Sequence, residues 1–325
     1  MAEPVGSADC PEREPEPKLI LGEVHTCVLP HRWELTGRAA VDLLRTRPDD
    51  VARLSERPNR YARSPDVLTG VDCHLPSASG LETRGIGTVS SWATVTEGRL
   101  LQAGALCGVA AEGPGRRRPW GHRLRRPGVI EPYGRPAEQD VAAGWLGTER
   151  RPGDLDLTAI AARTLTRVLR DPALDGQPPF AAGVTRLRWV ALRADDGEAA
   201  RLEQFTLAEK GLRTTTLQVP PGVRADAVAA FCHDLALHDW LLTTLLAMVE
   251  RSELGSAQGR GVLTALRPAV DHVMHLWMPA ARVDRSLHRL WDDVEHEPGF
   301  TRQWQNLVRR IRDQLALHAA AGLLP

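Results

Sequence analysis

The sequence predicts an α+β protein, a β-rich N-terminal part with a few helices followed by a C-terminal antiparallel helical bundle. Three observations predict it. The 325 residues carry 42% hydrophobic and 25% charged side chains, the balance of a globular chain long enough for one large or two smaller domains. Up to about residue 219, apolar and β-branched runs are broken repeatedly by Gly, Ser and Pro. From Pro220 onward, about 100 residues carry apolar side chains at helical spacing.

Residues 1–17 combine Pro, Glu and Asp with almost nothing to bury, so a disordered acidic tail is predicted there. LILGEVHTCVL from Leu19 reads as a buried strand, and Gly37 to Pro48 as a short helix stopped by its proline. Between Tyr61 and Ala111, TVSSWATV and LLQAGALCGVA flank TEGR as a hairpin. Residues 112–127 have loop composition, and GVIEPYG makes one more strand. Two helices follow, PAEQDVAAGWLG and LDLTAIAARTLTRVLRD, the second with Asp154 or Asp156 as its cap. VTRLRWVALRAD alternates as a strand should, and RLEQFTLAEKGLRTTTLQV reads as two strands around Glu209 to Gly211.

The domain division expected is a tail at 1–17, a β-rich α+β domain at 18–219 and a helical bundle at 220–325. Phe231, Leu235, His238, Leu242, Leu245 and Val249 alternate at spacings of four and three, an apolar stripe on a long first helix. Leu266, Val270, Val273 and Trp277 mark a second. Leu287, Leu290, Trp291 and Val294 mark a third, and Trp304, Leu307, Ile311 and Leu315 a fourth.

Charge and motifs exclude several function classes. Lys plus Arg equals Asp plus Glu at 41 each, so a general coat for polyanions or membranes is disfavoured. Only Lys18 and Lys210 are lysines, leaving two residues for Schiff-base or ammonium–phosphate chemistry. There is no GxxxxGK[ST], HExxH, GxSxG, EF-hand loop or C-x2-4-C half-site. Gly85-Ile86-Gly87 has Ser90 where a dinucleotide fingerprint needs its third glycine. Five widely spaced cysteines argue against a disulfide framework, and the first residues are the reverse of a secretory leader, so a cytoplasmic location without membrane contact is predicted.

Asp72-Cys73-His74 is compressed like a catalytic cluster, yet strand neighbours point to opposite faces, so Cys73 reads as a small core residue. Cys232 and His233 on a helix lie about 100° apart, with the same difficulty.

Three constellations carry chemistry. Arg116, Arg117, Arg118, Arg123, Arg125 and Arg126 surround Trp120 and His122, with no acidic residue from 114 to 130. Guanidinium groups bind phosphates bidentately, and an indole stacks on a base. A solvated loop, internal pairing with acidic surface elsewhere, for which the tail from Glu3 to Glu16 is a candidate, and a protein partner are the competing readings, and nucleic acid or a nucleotide is the least favoured. The second constellation is histidine placement: His272 with His275 at i, i+3, and His288, Asp292 and His296 at i, i+4, i+8. Such ligands can hold a metal between helices, whereas His238 and His318 sit on or beside apolar stripes as core histidines do. Asp234 and His238, at i, i+4, either join them or simply hydrogen-bond. The third is the acidic run from Trp291 to Glu297 beside Arg309, Arg310 and Arg312, read mainly as solvated charge. Nine tryptophans against six Phe plus Tyr fit either a core or a docking surface.

With Ser64 to Gly80, Thr185 to Arg193, Phe231 to Thr243, Ala269 to Ala281 and Pro298 to His318 in view, the chain from about Leu19 onward resembles an actinobacterial family of Streptomyces type with no assigned activity. Members are encoded beside a variant P-loop protein and a SAM-dependent methyltransferase. The resemblance implies a partner-rich setting, in which a non-catalytic interaction or accessory subunit works with an NTPase. The reading leans away from an enzyme and calls for no cofactor. A metal-dependent enzyme built on the helical His and Asp residues is the alternative, and phosphate or nucleic-acid binding through the arginine loop is the second alternative.

Overall fold

A computed structural model of the chain describes residues 16–46, 50–110, 118–147, 151–194, 197–209, 211–254 and 266–321. Its centre is a mixed ten-stranded sheet. The strands are β1 (Leu19–Val28), β2 (Arg53–Ser55), β3 (Tyr61–Arg63), β4 (Val67–Leu75), β5 (Thr83–Thr96), β6 (Leu100–Val109), β7 (Val129–Pro132), β8 (Thr185–Arg193), β9 (Arg201–Glu209) and β10 (Leu212–Val219). Their order is β2-β3-β5-β7-β6-β1-β8-β10-β9, with β4 also paired to β5 and β5 to β6. The expected hairpin is present, with Ser90 to Thr96 facing Leu106 to Leu100. Neighbours are antiparallel except β6 with β7 and β8 with β10.

All ten residues of β1 are buried, as the continuous apolar run predicted, because β1 lies between β6 and β8 and both of its faces are covered. On one face, Leu19 and Leu21 join Val141 and Trp145 of α3 (Glu138–Leu146) and Leu157 and Ile160 of α4 (Leu157–Leu169). Farther along that face, Cys27, Leu101 and Ala103 meet Leu165 and Val168 of α4 and Leu43 and Leu44 of α1 (Gly37–Leu44). Asp156 caps α4 by accepting from the Ala159 N–H at 2.8 Å. On the other face, Ile20, Val24, Trp189 and Leu217 pack under α5 (Ala225–Leu254). A Cβ at Gly22 would stand 2.1 Å from the Trp189 ring, so only glycine lets that indole lie across β1.

Glu23 and His25 point to the α3/α4 face, where Glu23 is fully buried. Its carboxylate accepts from Arg188 Nε at 3.1 Å and Thr158 Oγ1 at 2.7 Å, with His25 Nε2 at 3.0 Å. Burial pushes this carboxyl upward, but the His25 hydrogen bond, the Arg188 and His25 charges and the Thr158 hydrogen bond outweigh it and hold the pKa at about 2.

Past residue 219 the chain is helical, and its helices share a core with the sheet. Residues 231–242 of α5 are buried on every side, because Ala229, Cys232, Ala236 and Leu241 fill the faces the predicted stripe left for solvent. The helix lies on β1, β6 and β8 and against α7 (Phe300–Ala321). Arg213 of β10 ties it to the sheet through Asp239 at 3.0 Å and Thr243 at 2.9 Å. The second predicted helix breaks into a π turn, Ala269–Val273, and a 3-10 turn, Met274–Leu276, with Val270 48% exposed. The third and fourth are α6 (His288–His296) and α7, burying Leu290, Trp291 and Val294, and Trp304, Leu307 and Ile311. One core therefore runs across the boundary expected at 219, from Ile20 and Trp189 to Trp291 and Trp304. Among the described residues no helix is long and apolar enough to cross a membrane.

Candidate functional site

Two arginines of the cluster, Arg123 and Arg126, are ion-paired within the fold. Arg116 and Arg117 lie outside the described residues, as does the tail up to residue 15. The short α2 (Trp120–Leu124) presents His122 and Arg123 to Glu131 on β7, the first acid beyond the acid-free stretch. Arg123 Nη1 reaches Glu131 Oε2 at 3.1 Å, Arg126 Nη1 reaches Oε1 at 2.5 Å, and His122 Nε2 lies 3.0 Å from Oε1. Burial works to raise the Glu131 carboxyl, and the hydrogen bonds and charges of His122 and Arg126 overcome it and hold the carboxyl below its usual range. Glu131 is thus an internal acidic partner of the cluster, and Glu16, the described end of the acidic segment, meets Arg193 at 3.7 Å. Arg118 and Arg125 remain exposed, and Trp120, half-exposed, lies over Gly70.

The histidines do not converge. His272 stacks on Phe180 at 5.9 Å, and burial draws its pKa down. His288 Nε2 lies 3.0 Å from the Val283 carbonyl oxygen, while His275, Asp292 and His296 are exposed. Among the described residues no three His, Cys, Asp or Glu side chains come together as metal ligands, so the expected set is not assembled. His238 is a satisfied core residue: Nδ1 donates to the Asp234 carbonyl at 2.7 Å and Nε2 accepts from the Met278 N–H at 3.3 Å. Asp72 is paired with Arg84 at 2.7 and 2.6 Å, and burial, then the charges of Asp72 and Asp154, push the Cys73 thiol up to about 12.

Buried polar chemistry gathers instead where α5 crosses the β3, β5 and β6 end of the sheet. A cavity of about 110 Å³ is lined there by Tyr61, Arg63, Trp92, His233, Asp234 and Arg282, with Thr94 and Gln102 beside them. Tyr61 and Arg63 are two apart on β3 and share a face. Gln102 fixes the helix over the sheet, donating to the His233 carbonyl at 2.9 Å and to Thr26 Oγ1 at 3.2 Å. His233 is nine-tenths buried, its ring 5.4 Å from that of Trp92, and its Nε2 has no hydrogen-bond partner among the described residues. Burial, then the charges of Arg63 and Arg282, lower its pKa to about 3, so the imidazole is neutral at pH 7.

Asp234 accepts from the Ala280 N–H at 3.0 Å, and burial raises its carboxyl in spite of His238 and Arg282. Ala280 adopts φ +61°, a left-handed conformation that costs a non-glycine residue about 1 kcal/mol. A strained residue hydrogen-bonded to a buried acid, beside an orphaned imidazole, is the combination found at binding sites. Compared with family models, with curated proteins and with solved structures, the chain matches none.

Sequence reasoning set His233 aside because it points away from Cys232. That divergence is what the fold uses: Cys232 enters the core while His233 lines the cavity. No local pattern flags Arg282, which reaches the cavity from the loop between the 3-10 turn and α6.

Proposed function

We propose that the protein is a non-catalytic accessory subunit of a cytoplasmic multiprotein system, one that holds a small ligand in the α5 pocket and works beside an NTPase partner. The observation that carries this reading is the pocket. A histidine, an aspartate and an arginine, all largely removed from water, line one cavity at the junction of the sheet with the C-terminal region. Buried polar groups cost stability unless they are satisfied, so their convergence on open space supports a ligand-binding role. The partner half of the reading rests on the family resemblance and on an apolar groove where Val184, Leu207 and Leu246 are 52%, 63% and 41% exposed. Such a groove suits an apolar segment of a partner protein. Co-expression with the neighbouring gene products and affinity capture of the tagged full chain tests the proposal. Capture with the P-loop neighbour supports it. A chain that elutes alone and turns over a small molecule overturns it.

A further inference from the structure

We propose that the α5 pocket binds a small oxyanion, a carboxylate or a phosphate group, between the guanidinium groups of Arg63 and Arg282. This inference rests on the ligand-binding reading above and adds the chemical class of the ligand.

Arg282 is the decisive residue. Its Nε donates to Asn59 Oδ1 at 2.9 Å, Nη2 donates to the same oxygen, and Nη1 donates to Thr96 Oγ1 at 3.3 Å. Its carbon centre stands 4.2 Å from the centroid of the Tyr61 ring. Every one of these partners is neutral, and no carboxylate among the described residues is in ion-pair contact with it. A guanidinium carries five N–H groups, so these three bonds leave one N–H on each Nη. These remaining N–H groups are available to donate to the oxygens of a carboxylate or phosphate.

Burial pulls the Arg282 pKa down, and the carboxylates that oppose the effect, Asp234 and Glu97, act only at a distance. Asp234 is itself occupied by the Ala280 N–H. A buried cation without a contacting counter-ion is costly, and a small anion entering the cavity removes that cost.

Arg63 supplies the second cation. Its guanidinium lies over the Trp92 ring at 4.6 Å, and its Nη2 bonds Asp66 at 2.7 Å. Two guanidinium groups, each laid on an aromatic face, thus flank a single cavity whose other wall is His233. Neutral His233, with its free Nε2, can hydrogen-bond the uncharged part of the ligand. The volume of about 110 Å³ accommodates a small charged group between the two guanidinium groups.

Calorimetric titration of the full chain tests this, with acetate, phosphate and sulfate as sodium salts at constant ionic strength, and with acetamide and dimethyl sulfone as neutral counterparts. The expected result is saturable one-to-one binding of at least one oxyanion, weakened tenfold or more by Arg63→Gln and by Arg282→Gln. Arg63→Gln, at a half-exposed position, keeps the test valid should Arg282→Gln fail to fold. Acetate against phosphate decides which source of the oxyanion the site prefers. Oxyanion binding that both variants leave unchanged overturns the proposal by placing the site elsewhere. Binding of a neutral counterpart, weakened by His233→Leu, with no oxyanion bound, overturns the anion class while the ligand-binding reading stands. Absence of any binding overturns both.

Discussion

Replacing Glu23 by Gln removes the charge that Arg188 and His25 need while keeping the side-chain shape. The carboxyl is fully buried and its neighbours hold its pKa down to about 2 from the ordinary 4.5, where a tenfold change in proton affinity corresponds to about 1.36 kcal/mol. The charged network therefore contributes about 3 kcal/mol, the scale expected when one partner of a buried ion pair is removed. Because the folded-state pKa is depressed, this contribution is fully present above pH 4.5 and is lost as the pH falls toward 2. Urea unfolding of the parent and Glu23→Gln from pH 7 to pH 2 measures it. The gap between the two is expected to be about 3 kcal/mol at pH 7 and to close across the acid window. A gap under about 0.5 kcal/mol at pH 7, or one that does not shrink with acid, would refute the assignment of Glu23 as the charged tie between the sheet and the α3/α4 layer.

Ala280→Gly relieves the left-handed backbone at φ +61° and is expected to raise the unfolding free energy by about 0.5 kcal/mol after the added freedom of the unfolded chain is counted; a loss in denaturant titration contradicts the strain. Cys27, Cys73, Cys107 and Cys232 have thiols pushed up by burial, to about 12 for Cys27 and Cys73. Thiol reagents at pH 8 should label these four only on unfolding, and fast native labelling of Cys73 contradicts its packing, from β4, against the core shared with α3 and α4. Leu207→Asp, on an exposed edge strand, is expected to leave the unfolding midpoint within a few degrees of the parent and to weaken capture of the protein partner; undiminished capture removes the groove from the account.

Much of the fold is legible locally. The unbroken apolar run of β1, the turn at Glu97 to Arg99 and the Asp156 cap each declare themselves within a few residues. The bundle misled because a stripe at spacings of four and three was enough to suggest an amphipathic helix. The small residues before and between its members, Ala229, Cys232 and Ala236, instead let α5 sink into the core and lie on the sheet. Internal pairing of the arginine cluster was legible as a class of contact, while the particular acid, Glu131, stands just past the acid-free stretch and is brought in by β7. The pocket is not legible at all. Tyr61, Trp92, His233 and Arg282 meet only because β3 pairs with β5 and α5 lies across their end, and no spacing in the sequence encodes that long-range register.

Native mass spectrometry of the tagged full chain, co-expressed with a P-loop protein of the kind the resemblance implies and sprayed from volatile buffer, tests the central proposal most directly. The expected result is a complex of the chain with that protein carrying an additional small anionic mass, the mass being absent when Arg63→Gln is used. A chain that appears alone and without bound mass, in parent and variant alike, contradicts it.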